Sequence, residues 1–554
     1  MATEAVAPAP EEAEGFAKRM LDGLERVGNK VPSPAIMFLY LILFLAVLSA
    51  ILAAFDISVT EDVAIPVPIA ELEEIRGALG GSIVPYDYVL NQPVEIPDYI
   101  IRETTFEVRS LLSIDGLRFV FSSFVRNFQV FGVVAVTLIA MAGVGVAEQA
   151  GMMAALIRKI VKVAPAGALA FILIFVGVLS SVASDAGYLI LIPLGAAAFM
   201  SVGRHPLAGM AAAFAGVGAI FGVNLLITPI DSMITEITNE AIGSTGEPIQ
   251  ITANYYFSVV SAVVLALVAA VVTSRIVEKR LGPYDPSLRT EAVGEEPVVD
   301  HDAEARGLRF ALYGLLGSVA AVLLMTLPPG APLRDPESGS IIGATPFMDS
   351  LIFVIALIFL ICGICFGKGA GTIKNGDDVV GAIAKTYAGL GGLLLMFLMI
   401  AQFIAFFNYT QLPRVAAVEM AQVLENVDVS GLLLLVLFII VIVLLDFILP
   451  GVVPKWAIFA PVFIPIFSRL GIAPQTVQAA YIVGDGPVNV LTPLMVYLPF
   501  IVTIAQRYDK RSGIGTVIAL MIPYALIILV AWIVLYCAWF LLGIPLGPDS
   551  PIEL

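Results

Sequence analysis

Between residues 166 and 202 the chain is apolar in two arms, with Ser184, Asp185, Ala186 and Gly187 standing between them. Each arm, 166–182 and 187–202, falls short of the roughly 20 residues a helix needs to cross a ~30 Å hydrocarbon core. Arg158, Lys159 and Lys162 precede the first arm and Arg204 follows the second. Basic residues on both flanks place both ends on the cytoplasmic side. The pattern predicts a re-entrant hairpin, about 166–202, with a carboxylate at its tip. Such backbone persists at membrane depth only inside protein or beside a wet cavity.

The pattern returns later in the chain. Trp456 and Pro461 repeat the spacing of Tyr188 and Pro193, Gly471 and Pro474 answer Gly203 and Pro206, and Gly484 answers Gly216, all at one offset (456 − 188 = 474 − 206 = 268). A second hairpin is expected over about 431–469, with its tip at 450–455. Each hairpin is followed by an apolar helix that polar residues and proline interrupt, 207–236 at Asn224, Thr228 and Pro229, and 476–505 at Asn489, Thr492 and Pro493. Paired broken segments in two related halves point to a transporter with its site between them.

Of the 554 residues, 59% are hydrophobic and 13% charged, where a soluble domain carries about 25% charged residues. The chain reads as an all-α polytopic membrane protein. The N-terminal segment 1–33 holds Lys18, Arg19, Arg26 and Lys30 ahead of the first span and is expected in the cytoplasm. Its first 30 residues lack the features of a signal peptide. The first half occupies 34–275. A charged cytoplasmic linker, 276–308, separates it from the second half, 309–554. Counting spans and basic loops gives nine transmembrane helices plus two hairpins that open to opposite faces, with the C-terminus outside. The acidic loop 56–115 is expected outside and carries strand-like runs. A net charge of −16 does not suit a nucleic-acid partner. The partners implied are a small solute and the lipid bilayer. Cys362 and Cys365 have redox-motif spacing but lie at an apolar helix end and read as packing residues. His205 and His301 sit in separate turns and do not suggest zinc. No organic cofactor is implied.

Three carboxylates fall in apolar sequence beside these features: Asp185 at the first tip, Asp446 in the second hairpin and Asp485 in the second break. A membrane-centre Asp costs about 2.5–3.5 kcal/mol on the insertion scale, so it is rarely idle. Carboxylate, amide and hydroxyl oxygens suit a sodium ion or a proton better than a soft metal. Asp446, Asp485, Asn489 and Thr492 form the expected sodium set, and Asn224 and Thr228 are further neutral candidates. Ser184, Asp185 and Asn224 are candidates for the transport path. Alternatives stand beside each. Asp185 and Asp485 could cap half-helices, and Asp446 could pair with Lys455. Trp456 either stacks on a solute ring or packs, and Pro474 and Pro493 break helices. Asp231, Glu236 and Glu240 are expected to be solvated at an outer end. An intramembrane aspartyl protease would need a G-x-G-D context, which is absent, so no enzyme is expected.

S-D-A-G-Y at 184–188, G-R-H-P-L-A-G at 203–209, K-W-A with A-P and P over 455–465, and Q-A-A-Y with G-D, N and T-P over 478–493 resemble the AbgT family of aminobenzoyl-glutamate transporters. The resemblance implies a bowl-shaped homodimer in a bacterial inner membrane. Each subunit would have nine spans and two hairpins arranged as scaffold and core domains. It implies import of p-aminobenzoyl-glutamate or export of sulfonamide-like antimetabolites, with a sodium ion near the hairpins. The matching functional positions are Asp185, Trp456, Pro474, Asp485 and Pro493. The chain departs from the family's usual residues at Asp446 for Asn, Val453 for Ser and Ile482 for Arg. The lost Arg removes the natural partner of a solute carboxylate. The alternative is a sodium–dicarboxylate symporter of the related inverted-hairpin group, whose carboxylate clamp of backbone amides, Asn and Thr does not require that Arg.

Overall fold

The structure is a computed structural model and describes residues 34–66, 86–87, 92–93, 99–183, 187–243, 246–290, 300–343, 345–425, 430–446, 451–492, 495 and 497–554. Three of the expected site residues, Ser184, Asp185 and Pro493, lie outside the described residues. The chain begins with α1 (Pro34–Ala54) and an antiparallel ribbon of β1 (Ser58–Pro66) and β2 (Tyr99–Glu107). Then come α2 (Ile114–Gln129) and α3 (Gly132–Gln149), one long stretch bent between them, and α4 (Met152–Lys162). The first interrupted run forms α5 (Leu169–Ser180) and α6 (Ile192–Ser201). The helix after it is broken as expected, into α7 (Pro206–Phe214) and α8 (Pro229–Ile242), and α9 (Tyr255–Val272) closes the half.

The second half has α10 (His301–Thr326), α11 (Leu351–Ala370), α12 (Gly376–Gly389), α13 (Gly391–Tyr409) and α14 (Leu412–Glu425). The second helix pair is α15 (Gly431–Asp446) and α16 (Val452–Arg469). The second broken helix is α17 (Pro474–Asp485), a short 3-10 turn over Pro487–Val490, and α18 (Leu498–Tyr508), and α19 (Ile514–Leu541) ends the fold. Eight helical stretches among the described residues are long and apolar enough to cross a membrane. α16 is one of them, longer than the half-length arm its sequence suggested. Leu169–Ser180, Gly187–Ser201, Pro206–Ala219 and Gly431–Asp446 are apolar but shorter. Exposed leucines, valines and phenylalanines along α1, α2 and α10 suit a lipid surroundings rather than water.

The 268-residue repeat has a physical basis in backbone shape. Gly203 and Gly471 both turn with positive φ, 74° and 75°, a conformation that other residues resist. Pro206 and Pro474 each open the helix that follows. A Cβ on Gly216 would lie 2.3 Å from the Ile174 carbonyl oxygen, and one on Gly484 would lie 2.9 Å from the Ile442 Cβ. The Ile439 carbonyl oxygen is nearer still to Gly484, at 2.8 Å, so each broken helix seats a glycine against its own helix pair, around Ile174 in the first and between Ile439 and Ile442 in the second. The two breaks also meet: a Cβ on Gly218 would lie 2.7 Å from Val490, and one on Gly486 would lie 2.8 Å from the Phe221 carbonyl oxygen. Gly216→Ala is expected to destabilise the fold by about 1–3 kcal/mol through overpacking, read as earlier thermal loss of the monodisperse species in detergent. Unchanged thermal stability would mean that α5 and the first break are not packed this closely.

The loops expected to share one face do touch. Arg204 makes a two-pronged bridge to Glu278, both contacts 2.7 Å, and Arg158 bridges to Glu304. Thr290 bonds the Gln506 and Arg507 carbonyls, and the Lys510 N–H reaches the Leu288 carbonyl. Cys365 packs against Gly314 of α10, as its reading as a packing residue requires.

Candidate functional site

The breaks create backbone groups without helical partners, and side chains near them are used accordingly. Asn224 donates to the Val178 carbonyl and to Ser181 Oγ, both 2.9 Å, at the end of α5. Its oxygen accepts from the Leu226 N–H at 3.0 Å. Ser258 of α9 bonds both the N–H and the carbonyl of Asn224. Thr228 and Asp231 form a capping box on α8, with the Thr228 N–H and hydroxyl each 2.7 Å from the Asp231 carboxylate. The first break therefore spends Asn224 and Thr228 on holding backbone. Asp231 is half-buried at that cap, contrary to the solvated position expected of it. α8 begins directly at the break, and its first turn needs an acceptor.

The second break is built differently. Asp446 ends α15, Lys455 lies in the first turn of α16, and Asp485 ends α17. The Lys455 ammonium sits in ion-pair contact with Asp446 and 2.6 Å from Asp485 Oδ1. The three side chains are 0%, 0% and 1% exposed. Tyr481, one turn before Asp485, donates to the Val452 carbonyl at 2.5 Å and lies 3.2 Å from Asp485 Oδ1. Asn489 donates to Asp485 Oδ2 at 3.2 Å. Thr492, two residues past the 3-10 turn, is buried. Asp485 thus faces three side chains from the C-terminal end of its helix, so the N-cap alternative does not describe it. The alternative reading of Asp446, a pair with Lys455, is the arrangement present.

Two ionised carboxylates and one ammonium sum to −1. An unbalanced charge taken wholly out of water costs several kcal/mol. A sodium ion held by both carboxylates would stand against the ammonium, so the four oxygen donors expected of it are not free together in this arrangement.

Trp456 follows Lys455 and is fully buried. Its indole N–H donates to Thr238 Oγ1 of α8 at 2.9 Å, and its ring lies tilted on Tyr481 at 4.6 Å. The Thr238 hydroxyl in turn lies 2.7 Å from Gln478 Oε1. Pro474 starts α17 and is buried. Ile482 packs beside Gly222. Thr238, Gln478 and Tyr481 were not singled out as site residues by sequence reasoning. The polar face of α17 between Gln475 and Asp485 was the available signal.

The sequence pattern of the AbgT putative transporter family matches residues 19–554. The chain belongs to the AbgT family. The p-aminobenzoyl-glutamate transport protein of Escherichia coli (strain K12) is 31% identical to it over 531 residues, covering 95% of both chains. The fold is similar to the crystal structure of the YdaH transporter of Alcanivorax borkumensis, at a TM-score of 0.80 and 36% identity, over 93% of this chain and all of that one. It is equally similar to Neisseria gonorrhoeae MtrF, described among a class of antimetabolite efflux pumps, at a TM-score of 0.81 and 34% identity, over 96% of this chain and all of that one. This AbgT protein is accordingly an integral membrane transporter and not an enzyme.

Proposed function

We propose that this AbgT protein is a cation-coupled secondary transporter of an aryl-glutamate or a sulfonamide-like solute, working by alternating access. The observation that carries the coupling is the sealed cluster of Lys455 between Asp446 and Asp485, whose charge count leaves room for one monovalent cation, a proton or a sodium ion. The solute class follows the family and the relatives' own substrates. Trp456 supplies an aromatic surface for the solute. Asp185, Ser184, Pro474 and Pro493 flank the path, and sodium, where it is the coupling ion, uses Asp446, Asp485, Asn489 and Thr492 once the ammonium has withdrawn. The architecture proposed is nine crossings plus two opposed hairpins, the first within 166–202 and the second within 431–469. The N-terminus is inside and the C-terminus outside, in a homodimer.

Proteoliposomes with separately imposed Na⁺ and H⁺ gradients test this reading against aryl-glutamates, sulfonamides and dicarboxylates. One gradient is expected to drive flux of an aryl-glutamate or a sulfonamide. Asp446→Asn leaves Lys455 balanced by Asp485 alone, so it is expected to carry solute down the solute's own gradient while losing its response to an imposed cation gradient. Flux indifferent to both gradients would remove cation coupling, and flux of dicarboxylates alone would replace the solute class.

A further inference from the structure

The two halves are braced across each other by residues at equivalent places in the repeat. Tyr188 follows the first tip and stacks on Tyr497 of the second broken helix, with centroids 4.4 Å apart and planes 10° apart. Trp456, 268 residues later (456 − 188), instead donates its indole N–H to Thr238 of the first broken helix. A stack tolerates sliding, whereas a hydrogen bond between an indole and a hydroxyl is either made or broken. The second brace is the more sharply defined of the two.

Its chemistry is complete on all sides. Indole offers one donor and no acceptor, and the Thr238 hydroxyl offers one proton and accepts from others. Thr238 accepts from Trp456, and its own proton is directed to the Ile234 carbonyl at 2.9 Å or to Gln478 Oε1 at 2.7 Å. Trp456 and Thr238 are both 0% exposed. No water replaces the bond while this arrangement holds. In the same arrangement the Trp456 ring is sealed against Tyr481, so a solute reaches it only after α16 and α8 part.

We propose that the Trp456–Thr238 hydrogen bond is a latch that withholds the Trp456 ring from solute until the second helix pair moves away from α8. The proposal rests on the reading of Trp456 as a solute contact. Thr238 is a positioning residue in this scheme and touches no solute. Its removal as acceptor raises the energy of the closed arrangement, where the indole N–H is left stranded, and leaves the open one unchanged. Apparent affinity improves as the competent fraction grows.

The test compares Thr238→Val with Thr238→Ser in the full-length protein. Thr238→Ser keeps the hydroxyl and is expected to behave as wild type. Thr238→Val is expected to lower KM for the driven solute by about ten-fold, the lower part of the effect of stranding a buried donor, with maximal turnover little changed. In a Trp532→Phe and Trp539→Phe background, where Trp456 is the sole tryptophan, Thr238→Val is expected to raise acrylamide quenching of Trp456 emission. Unchanged quenching, a raised KM or the same result from Thr238→Ser overturns the latch. Should Thr238→Val fail to fold, Thr238→Ala removes the same acceptor without the branched methyl and faces the same criteria. If the wild-type protein moves none of the aryl solutes, the function proposed above fails, while the quenching difference between Thr238→Val and Thr238→Ser still decides the latch.

Discussion

Lys455→Met is expected to destabilise the protein by about 3–5 kcal/mol, the usual consequence of leaving buried charge uncompensated. Methionine keeps the length and the apolar stem of lysine, so loss of packing contributes little. What disappears is the one positive charge that, among the described residues, touches both Asp446 and Asp485, and both carboxylates stay fully buried. The measurement is the temperature at which the monodisperse species is lost in detergent. A companion variant separates stability from function. Lys455→Met combined with Asp446→Leu and Asp485→Leu replaces the cluster by apolar side chains, a change that often restores or exceeds native stability. That triple variant is expected to fold and to transport nothing. A single Lys455→Met protein as stable as wild type would show that the ammonium does not hold these carboxylates together.

Much of this arrangement is legible in the sequence, and the reason is geometric. Repeats leave marks wherever the backbone admits few residues. Gly203 and Gly471 mark a left-handed turn, and Pro206 and Pro474 mark helix starts. Gly216 and Gly484 mark the contact with Ile174 and Ile442. Such positions can be read without a structure because the backbone conformation at Gly203, Gly471, Pro206 and Pro474, or the close contact at Gly216 and Gly484, admits few residues. The use of polar residues cannot be read in that way. Asn224 and Thr228 stand in apolar sequence as plausible ion ligands, yet the carbonyls of α5 and the first turn of α8 claim them. Asn489, equally plausible, is turned toward Asp485. A broken helix exposes orphan backbone groups at every break, and sequence does not tell which polar side chain answers them. Thr238 was harder still. It sits inside a regular helix, bonds its own Ile234 carbonyl as threonines commonly do, and gains its second role only through a tryptophan 218 residues away.

Asp485→Asn is expected to bring gradient-driven transport down to the level of empty liposomes while the protein still inserts and runs as a single species. The argument turns on which element each carboxylate belongs to. Asp446 and Lys455 are both on the second helix pair, so their contact stays within that pair. Asp485 is on α17, and its contact to Lys455 joins that pair to the second broken helix, while Tyr481 and Asn489 hold it from within that helix. With Asn at 485, Lys455 retains Asp446 as its counter-charge, and the closed cluster sums to zero. The fold therefore keeps its balance, unlike that of Lys455→Met. The charge that calls for a coupling cation is gone, and so is the ionic link through which the cation would bear on the helix pair. Asp446→Asn removes the same charge but leaves that link in place, so it is expected to carry solute down the solute's own gradient without cation coupling, whereas Asp485→Asn is expected to carry none. Equal flux from the two variants would place coupling elsewhere in the molecule. Wild-type flux from Asp485→Asn would count most heavily, because no other carboxylate among the described residues touches both the Lys455 ammonium and the second break.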